Sequence, residues 1–256
     1  MLRCEGISKS FGGTVALDDI SLTVNRGEIH GLIGPNGSGK TSLVNLVSGF
    51  YQADEGAIYL NDNDITGKAA HVIRRLGLAR TFQNIRLYGD LTVLDNVLIG
   101  LHLSFLQGKG SPRAWAGALI GSRQSRRREQ DARARAMSTL EGVGLAGLAA
   151  ARTRDLPYGL RKRLELARAT IQQPTVLLLD EPTAGLSPAE ANDVLHVFEQ
   201  PAREHGLAVL LIEHRLEWVL EICDRVTVLD AGSTIASGTP AEISRDQEVI
   251  RAYIGE

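Results

Sequence analysis

Gly34-Pro35-Asn36-Gly37-Ser38-Gly39-Lys40-Thr41 is a G-x-x-x-x-G-K-[ST] phosphate loop, and the rest of the chain is read outward from it. The three glycines let the backbone curl through φ values that a Cβ forbids. The N–H groups of such a curl point inward and form a nest for phosphate oxygens. In this motif Lys40 reaches the β- and γ-phosphates, and the Thr41 hydroxyl goes to Mg²⁺. Thr41 to Ser48 is expected to be a helix whose N-terminal partial charge lies beneath the phosphates, so Ser42 is counted with the loop. The motif carries this meaning only after a strand and before a helix. Glu28-Ile-His-Gly-Leu-Ile33 supplies the strand, being short and mostly apolar.

A second stretch decides which kind of nucleotide chemistry to expect. Val176-Leu-Leu-Leu-Asp180-Glu181 is an apolar strand ending in two carboxylates. It holds them at its C-terminal edge, where open α/β sheets bind ligands. Asp180 is placed to hold the Mg²⁺ shell. Glu181 points differently and is the candidate general base for an attacking water. Beyond the next apolar run, Leu207 to Ile212, comes Glu213-His214. A histidine at a strand end is by itself more often structural. In this company His214 becomes a candidate sensor of the γ-phosphate. His30, His71, His102, His196 and His205 have no such context and are expected to be solvated or structural.

The 256 residues suit one large domain or two joined subdomains, and 43% hydrophobic residues suffice for a sizeable core. A net charge of −2 gives no basic field for nucleic acid. Cys4 and Cys223, the only cysteines, make neither a disulfide framework nor a metal spacing. The N-terminus lacks the apolar core of a signal peptide, and no run approaches the roughly 18 apolar residues of a membrane span. Strands are expected at Leu2–Ile7 and Ile20–Val24, with a loop carrying Phe11 and Gly12-Gly13 between them. From Leu91 to about Ala151 the chain reads as helical. It contains a capped helix from Thr92, a flexible insertion at Gln107–Pro112 and an arginine-dense helix from Arg123 to Arg135. That helix is read first as a solvated face, then as a basic patch toward lipid headgroups or a partner, and last as an RNA-binding stretch, against which the lack of interleaved aromatic residues speaks. From Leu156 strands and helices alternate, and Pro240 to Ile254 reads as one terminal helical piece. The expected fold is α/β, a P-loop NTPase (RecA-like) parallel-sheet core with an N-terminal antiparallel β layer and an inserted α-helical subdomain. The boundaries are set at 1–88 and 160–235 for the core, 89–159 for the helical subdomain and 236–256 for a tail.

The chain resembles the ATP-binding subunits of ABC transporters over essentially its whole length. The resemblance rests on Gly34 to Thr41, Thr81-Phe-Gln83-Asn, Leu156-Pro-Tyr-Gly-Leu160, Leu177-Leu-Leu-Asp-Glu-Pro-Thr183 and His214, in that order. It implies that Phe11 stacks on adenine and that Gln83 reaches the Mg²⁺ and the water. It implies that Ala184 to Ser187 lies at a dimer interface. The family works as a head-to-tail pair, so Pro157, Tyr158 and Gly159 would face ATP held by a second ATPase subunit. The family's signature reads Leu-Ser-Gly-Gly-Gln, whereas here Pro157 supplies neither a hydroxyl nor an N–H. Proline suits a first helical turn, so the helix N-terminus and its dipole are expected to survive.

Within the family, Arg80 to Leu87, the insertion after Leu101, Tyr158-Gly159 and Gly238 to Ile243 through Tyr253-Ile-Gly-Glu256 are similar to one ATPase of the branched-chain amino acid uptake systems. The resemblance implies ATP and Mg²⁺ as cofactors. It implies a second ATPase subunit, as heterodimer first and homodimer second. Two permeases, an extracytoplasmic binding protein acting indirectly and a peripheral position on the cytoplasmic face of the membrane follow from it too. Urea, amide or lipid transport with the same chemistry is the alternative. A soluble ABC-type ATPase acting on DNA or ribosomes is a further one, but one phosphate loop and no sustained heptads speak against it.

Overall fold

The computed structural model describes residues 1–81, 85–101 and 123–254 of the chain. Gln83 and the Gln107–Pro112 insertion lie outside the described residues. The fold divides into two compact units.

The first unit comprises Met1–Gln83, Pro174–Gly185 and Phe198–Glu256. Its central sheet contains β3 (Ile29–Ile33), β6 (Leu78–Arg80), β7 (Val176–Asp180), β8 (Ala208–Ile212), β9 (Arg225–Asp230) and β10 (Ser233–Gly238), in the order β10-β9-β3-β8-β7-β6. The neighbouring pairs are parallel except β9 with β10. Every residue of β3, β7 and β8 is buried, which is why these strands read as unbroken apolar runs. The N-terminal layer contains β1 (Leu2–Phe11), β2 (Thr14–Val24), β4 (Glu55–Leu60) and β5 (Asn63–Asp64), in the antiparallel order β2-β1-β4-β5. Helix α1 (Lys40–Val47) follows the phosphate loop, and Leu43, Val44 and Val47 join Leu2, Ile20, Leu210 and Ile212 in one buried cluster.

The first two strands run further than expected. The anticipated loop around Phe11 is a tight hairpin in which only Gly12 and Gly13 turn, at φ 55° and 87°. Alternation fades after Ile7 because the far end of this ribbon is exposed and its register is irregular. Three further elements gave too little sequence signal. Helix α2 (Ala70–Arg75) buries only Ile73, β6 has three residues, and β10 is an edge strand of small polar residues. The terminal piece is two helices. The first, Pro240–Ile243, is closed by a capping box between Thr239 and Glu242, and the second, Gln247–Ile254, starts on the Asp246 side chain.

The second unit comprises Asn84–Gln173 and Leu186–Val197. It holds α3 (Val93–Gly100), α4 (Arg123–Gly142), α5 (Tyr158–Thr170) and the first part of α6 (Pro188–His205). The Thr92 hydroxyl caps α3, accepting from the Asp95 N–H. Ala132, Ala136 and Leu140 of α4 pack with Val93, Val97, Leu164, Ala167 and Ile171. The last three explain why this unit extends to Gln173 and not only to residue 159: α5 is amphipathic and its apolar stripe belongs to the helical core. Asn96, wholly buried, accepts from the Tyr88 N–H and donates to Tyr88 O, Thr92 O and Thr153 Oγ1, which ties together three segments.

Candidate functional site

The phosphate loop leaves β3 at Ile33 and enters α1 at Lys40. Gly34, Gly37 and Gly39 have φ of 147°, 83° and 102°. A Cβ on Gly34 would lie 2.0 Å from Leu229 O, and one on Gly39 would lie 2.6 Å from Ala16 O. Both positions therefore need glycine for space as well as for conformation. Ser38 N–H donates to Pro35 O, and Gly232 N–H, from the turn between β9 and β10, donates to Ser38 O. The curl closes on the Lys40 ammonium, which donates to Gly34 O and Pro35 O at 2.8 Å each and to Ser38 Oγ at 3.3 Å. Burial pulls the Lys40 pKa down, and the Glu181 charge acts against that. Gly39 is the N-cap of α1 and provides no side-chain cap. A curled backbone, a buried cation and a helix N-terminus without a side-chain cap are the elements of a polyphosphate site. Asn36 and Thr41 are exposed, and Pro35 and Ser42 half-buried.

Asp180 ends β7 and is buried. Its Oδ2 accepts from Arg80 Nη2 at 2.9 Å. The Arg80 Nη1 also donates to Asn45 Oδ1 at 2.7 Å and to Ser48 Oγ at 2.8 Å, so one guanidinium ties α1 to the carboxylate strand. Among the described residues no cluster of three or more His, Cys, Asp or Glu could hold a metal by itself. The Asp180 carboxylate and the Thr41 hydroxyl are two oxygen donors, a set that fits Mg²⁺, which takes one or two protein oxygens and completes its shell with phosphates and water.

Glu181 stands one residue further at φ 48°, a left-handed conformation rare for a side chain of this size. Its N–H donates to Ile212 O at 3.0 Å, and its Oε1 lies 2.6 Å from His214 Nε2. From the sequence these two side chains are separate candidates; in the fold they are a hydrogen-bonded pair. Beside them Glu213, to which no sequence motif gives a role, is 3% exposed. Its Oε1 accepts from Thr183 N at 3.1 Å and Thr183 Oγ1 at 2.6 Å, and its Oε2 from His214 N at 3.3 Å. Burial raises its pKa, and the Glu181 charge adds to that against the bonds from Thr183 and His214.

Phe11 is 40% exposed, with its ring 5.2 Å from that of Tyr51 in an edge-on arrangement and the Lys9 ammonium 5.4 Å from its centroid. Tyr51 belongs to no sequence motif that would mark it beforehand. Tyr253 brings its phenol to the Gly34 backbone, and burial raises its pKa. Pro157, Tyr158 and Gly159 lie in the second unit. Pro157 is the N-cap of α5, not a member of its first turn, with φ −53° and ψ 154° and no side-chain cap. Tyr158 is exposed, and a Cβ on Gly159 would meet Glu190 Oε1 at 3.2 Å. His30 is buried between Glu28 and Thr227. No helix among the described residues is long and apolar enough to cross a membrane.

Residues 17–184 match the family model "ABC transporter", and residues 233–256 match "Branched-chain amino acid ATP-binding cassette transporter". The chain is 39% identical over 256 residues to the high-affinity branched-chain amino acid transport ATP-binding protein LivG of Salmonella typhimurium, covering 100% of this chain and 98% of that one. It is 38% identical over 260 residues to BraF of Pseudomonas aeruginosa, described in the same words, with the same coverage. Among solved structures, an ATP-binding cassette of an ABC transporter in its ADP conformation superposes with a TM-score of 0.85 at 36% identity, over 100% of this chain and 99% of that one.

Proposed function

Since the chain belongs to the ABC transporter family, as an ATP-binding cassette of the branched-chain amino acid group, we propose that its ATP hydrolysis drives uptake of branched-chain or closely related amino acids. The observation that carries the catalytic part is the Glu181–His214 pair at 2.6 Å, at the end of strands β7 and β8. Glu181 is the base that takes a proton from the attacking water, and His214 orients it and meets the γ-phosphate. Lys40 and the loop amides of Gly34 to Thr41, with Ser42, hold the β- and γ-phosphates and stabilise charge as it develops. Thr41 and Asp180 would hold Mg²⁺, which would supply positive charge to neutralise the phosphates. Gln83 is proposed to join that shell. Phe11, supported by Tyr51, is the platform for the adenine.

A second ATPase subunit completes the site. Pro157, Tyr158 and Gly159 serve the ATP held by that subunit, a different chain in our reading. Closure of the pair on ATP and its release after hydrolysis would move two permeases, fed by an extracytoplasmic binding protein. This chain would sit peripherally on the cytoplasmic face, without nucleic acid as a partner. Because Pro157 offers no hydroxyl to the opposing phosphate, that site is the weaker one, and Pro157→Ser should raise turnover.

The test of the main reading uses the transporter reconstituted with this full-length chain. Glu181→Gln is expected to retain ATP binding and to lose hydrolysis by about 100-fold or more, with amino acid uptake lost in parallel. Hydrolysis at the unaltered rate would remove Glu181 as the base. Wild-type uptake despite lost hydrolysis would separate this chain from transport.

A further inference from the structure

We propose that Glu213 is the positioning residue of this site, clamping the segment that carries Glu181 to the strand end that carries His214. The inference rests on the reading of Glu181 and His214 given above. Three observations on the geometry lead to it.

The first is the Glu181 backbone. A φ of 48° is held by an L-residue only where its surroundings over-determine it. Its own N–H is fixed to Ile212 O on the incoming side of the turn, and its carbonyl accepts from the Ala184 N–H at 3.2 Å, a bond that leaves the intervening Pro182-Thr183 to be held from outside. The outgoing side, Pro182-Thr183, is fixed by Glu213, whose Oε1 takes both the N–H and the hydroxyl of Thr183.

The second is the reach of one carboxylate into both segments. While Oε1 binds Thr183, Oε2 accepts from the His214 N–H. The residue two beyond the base and the backbone of the sensor thus share one side chain. The 2.6 Å spacing of Glu181 Oε1 and His214 Nε2 depends on how these segments are held relative to each other.

The third is burial. Glu213 and Thr183 are each 3% exposed, so water does not substitute readily for either partner. One side-chain oxygen serves both Thr183 donors, so an amide can keep those bonds, and only the long bond to the His214 N–H needs the second carboxyl oxygen. A small hydroxyl residue cannot reach both sides.

Misplacing a catalytic group by about 1 Å costs on the order of 100-fold in rate. Glu213→Ala is therefore expected to lower kcat for ATP by roughly tenfold to 100-fold. Affinity for a fluorescent ATP analogue should stay within about twofold, since Gly34–Thr41 and Phe11 are untouched. Glu213→Gln, which keeps the Thr183 bonds, should recover kcat to within about threefold of wild type, as loss of one long bond warrants. Thr183→Ala should reproduce much of the loss, and the double variant should be little worse than Glu213→Ala alone, because both remove one clamp. Thermal melts of each full-length variant establish that it is folded.

A folded Glu213→Ala with wild-type kcat overturns the proposal. So do strictly additive losses in the double variant, or a fall in affinity parallel to the fall in kcat, which marks a merely structural residue. If Glu213→Ala does not fold, Thr183→Ala carries the test: a kcat loss of about tenfold with unchanged affinity supports the clamp, and wild-type kcat overturns it. Glu181→Gln is assayed alongside. If it alone is inactive and Glu213→Ala is fully active, only the clamp fails. If Glu181→Gln hydrolyses normally, the catalytic reading fails and the clamp with it.

Discussion

Arg80 shows what a single residue does at this site besides chemistry. Its side chain and that of Asp180 are both 8% exposed, and they pair at 2.9 Å. A buried carboxylate without a counter-charge is costly to keep, and removing one partner of such a pair typically costs about 3–5 kcal/mol. The guanidinium fork also reaches Asn45 and Ser48 in α1. A lysine ammonium is one point at the end of its stem and does not reproduce the planar fork that sends Nη1 to Asn45 and Ser48 and Nη2 to Asp180. Arg80→Ala should therefore lower unfolding free energy by about 3–5 kcal/mol in urea denaturation, and Arg80→Lys should recover only part of it. A loss under about 1 kcal/mol would mean that Asp180 finds another partner. In the sequence Arg80 stands out only as part of a stretch typical of a narrower family. Its pairing across a parallel sheet, 100 residues along the chain, has no local signature.

The element that positions the phosphate loop is β3, and it is secured at its start by a buried polar chain. Glu28 Oε2 accepts from Asn25 N and Asn25 Nδ2, its Oε1 meets His30 Nδ1 at 3.0 Å, and His30 Nε2 meets Thr227 Oγ1 on β9 at 2.8 Å. Burial by itself pushes the Glu28 pKa up, but the bonds from His30 and Asn25 outweigh it, so the net shift is downward from 4.5. A carboxyl whose folded pKa is depressed favours folding above its unfolded value, and that contribution fades as pH falls through the folded value. The stability of the chain should thus decline on acidification below about pH 4.5, and Glu28→Gln should show a shallower decline over the same range in pH-dependent melts. An unchanged slope would assign the acid limb to other carboxylates. Elements of this kind were legible to different degrees. β3, β7 and β8 could be read because full burial leaves an uninterrupted apolar run. The His214 position could be read because such a run ends there. β10 and α2 could not, since an edge strand and a helix with one buried residue carry almost no periodic apolar signal. Nor could the Glu213 clamp, because an acid at a strand end looks solvated until the partner, Thr183, is seen against it.

At the scale of the molecule, both cysteines fall in the first unit, the one that also carries the phosphate loop. Cys4 is in the buried core, and burial pushes its thiol up to about 12. Cys223 is likewise raised, first by burial and then by the charge of Asp224. Thiolate is the reactive form, so neither side chain should react with an alkylating reagent at neutral pH while this unit is folded. Since the chain has no other cysteine, alkylation reads the opening of this unit alone. A ligand that binds only the folded state adds about 2.7 kcal/mol at a concentration 100 times its Kd. ATP with Mg²⁺ at that level should slow labelling by about 100-fold where labelling requires the whole unit to open. Lys40→Ala, which removes the cation at the centre of the phosphate loop, should lose most of that protection. Mass spectrometry of labelled protein over time measures both sites separately. Equal protection of Cys4 and Cys223 would show that the antiparallel layer and the parallel sheet open as one cooperative body, consistent with their shared buried cluster. Rapid labelling of Cys223 with Cys4 still protected would instead place a local opening at the end of the helix Leu216–Ile222 and make the two layers energetically separable.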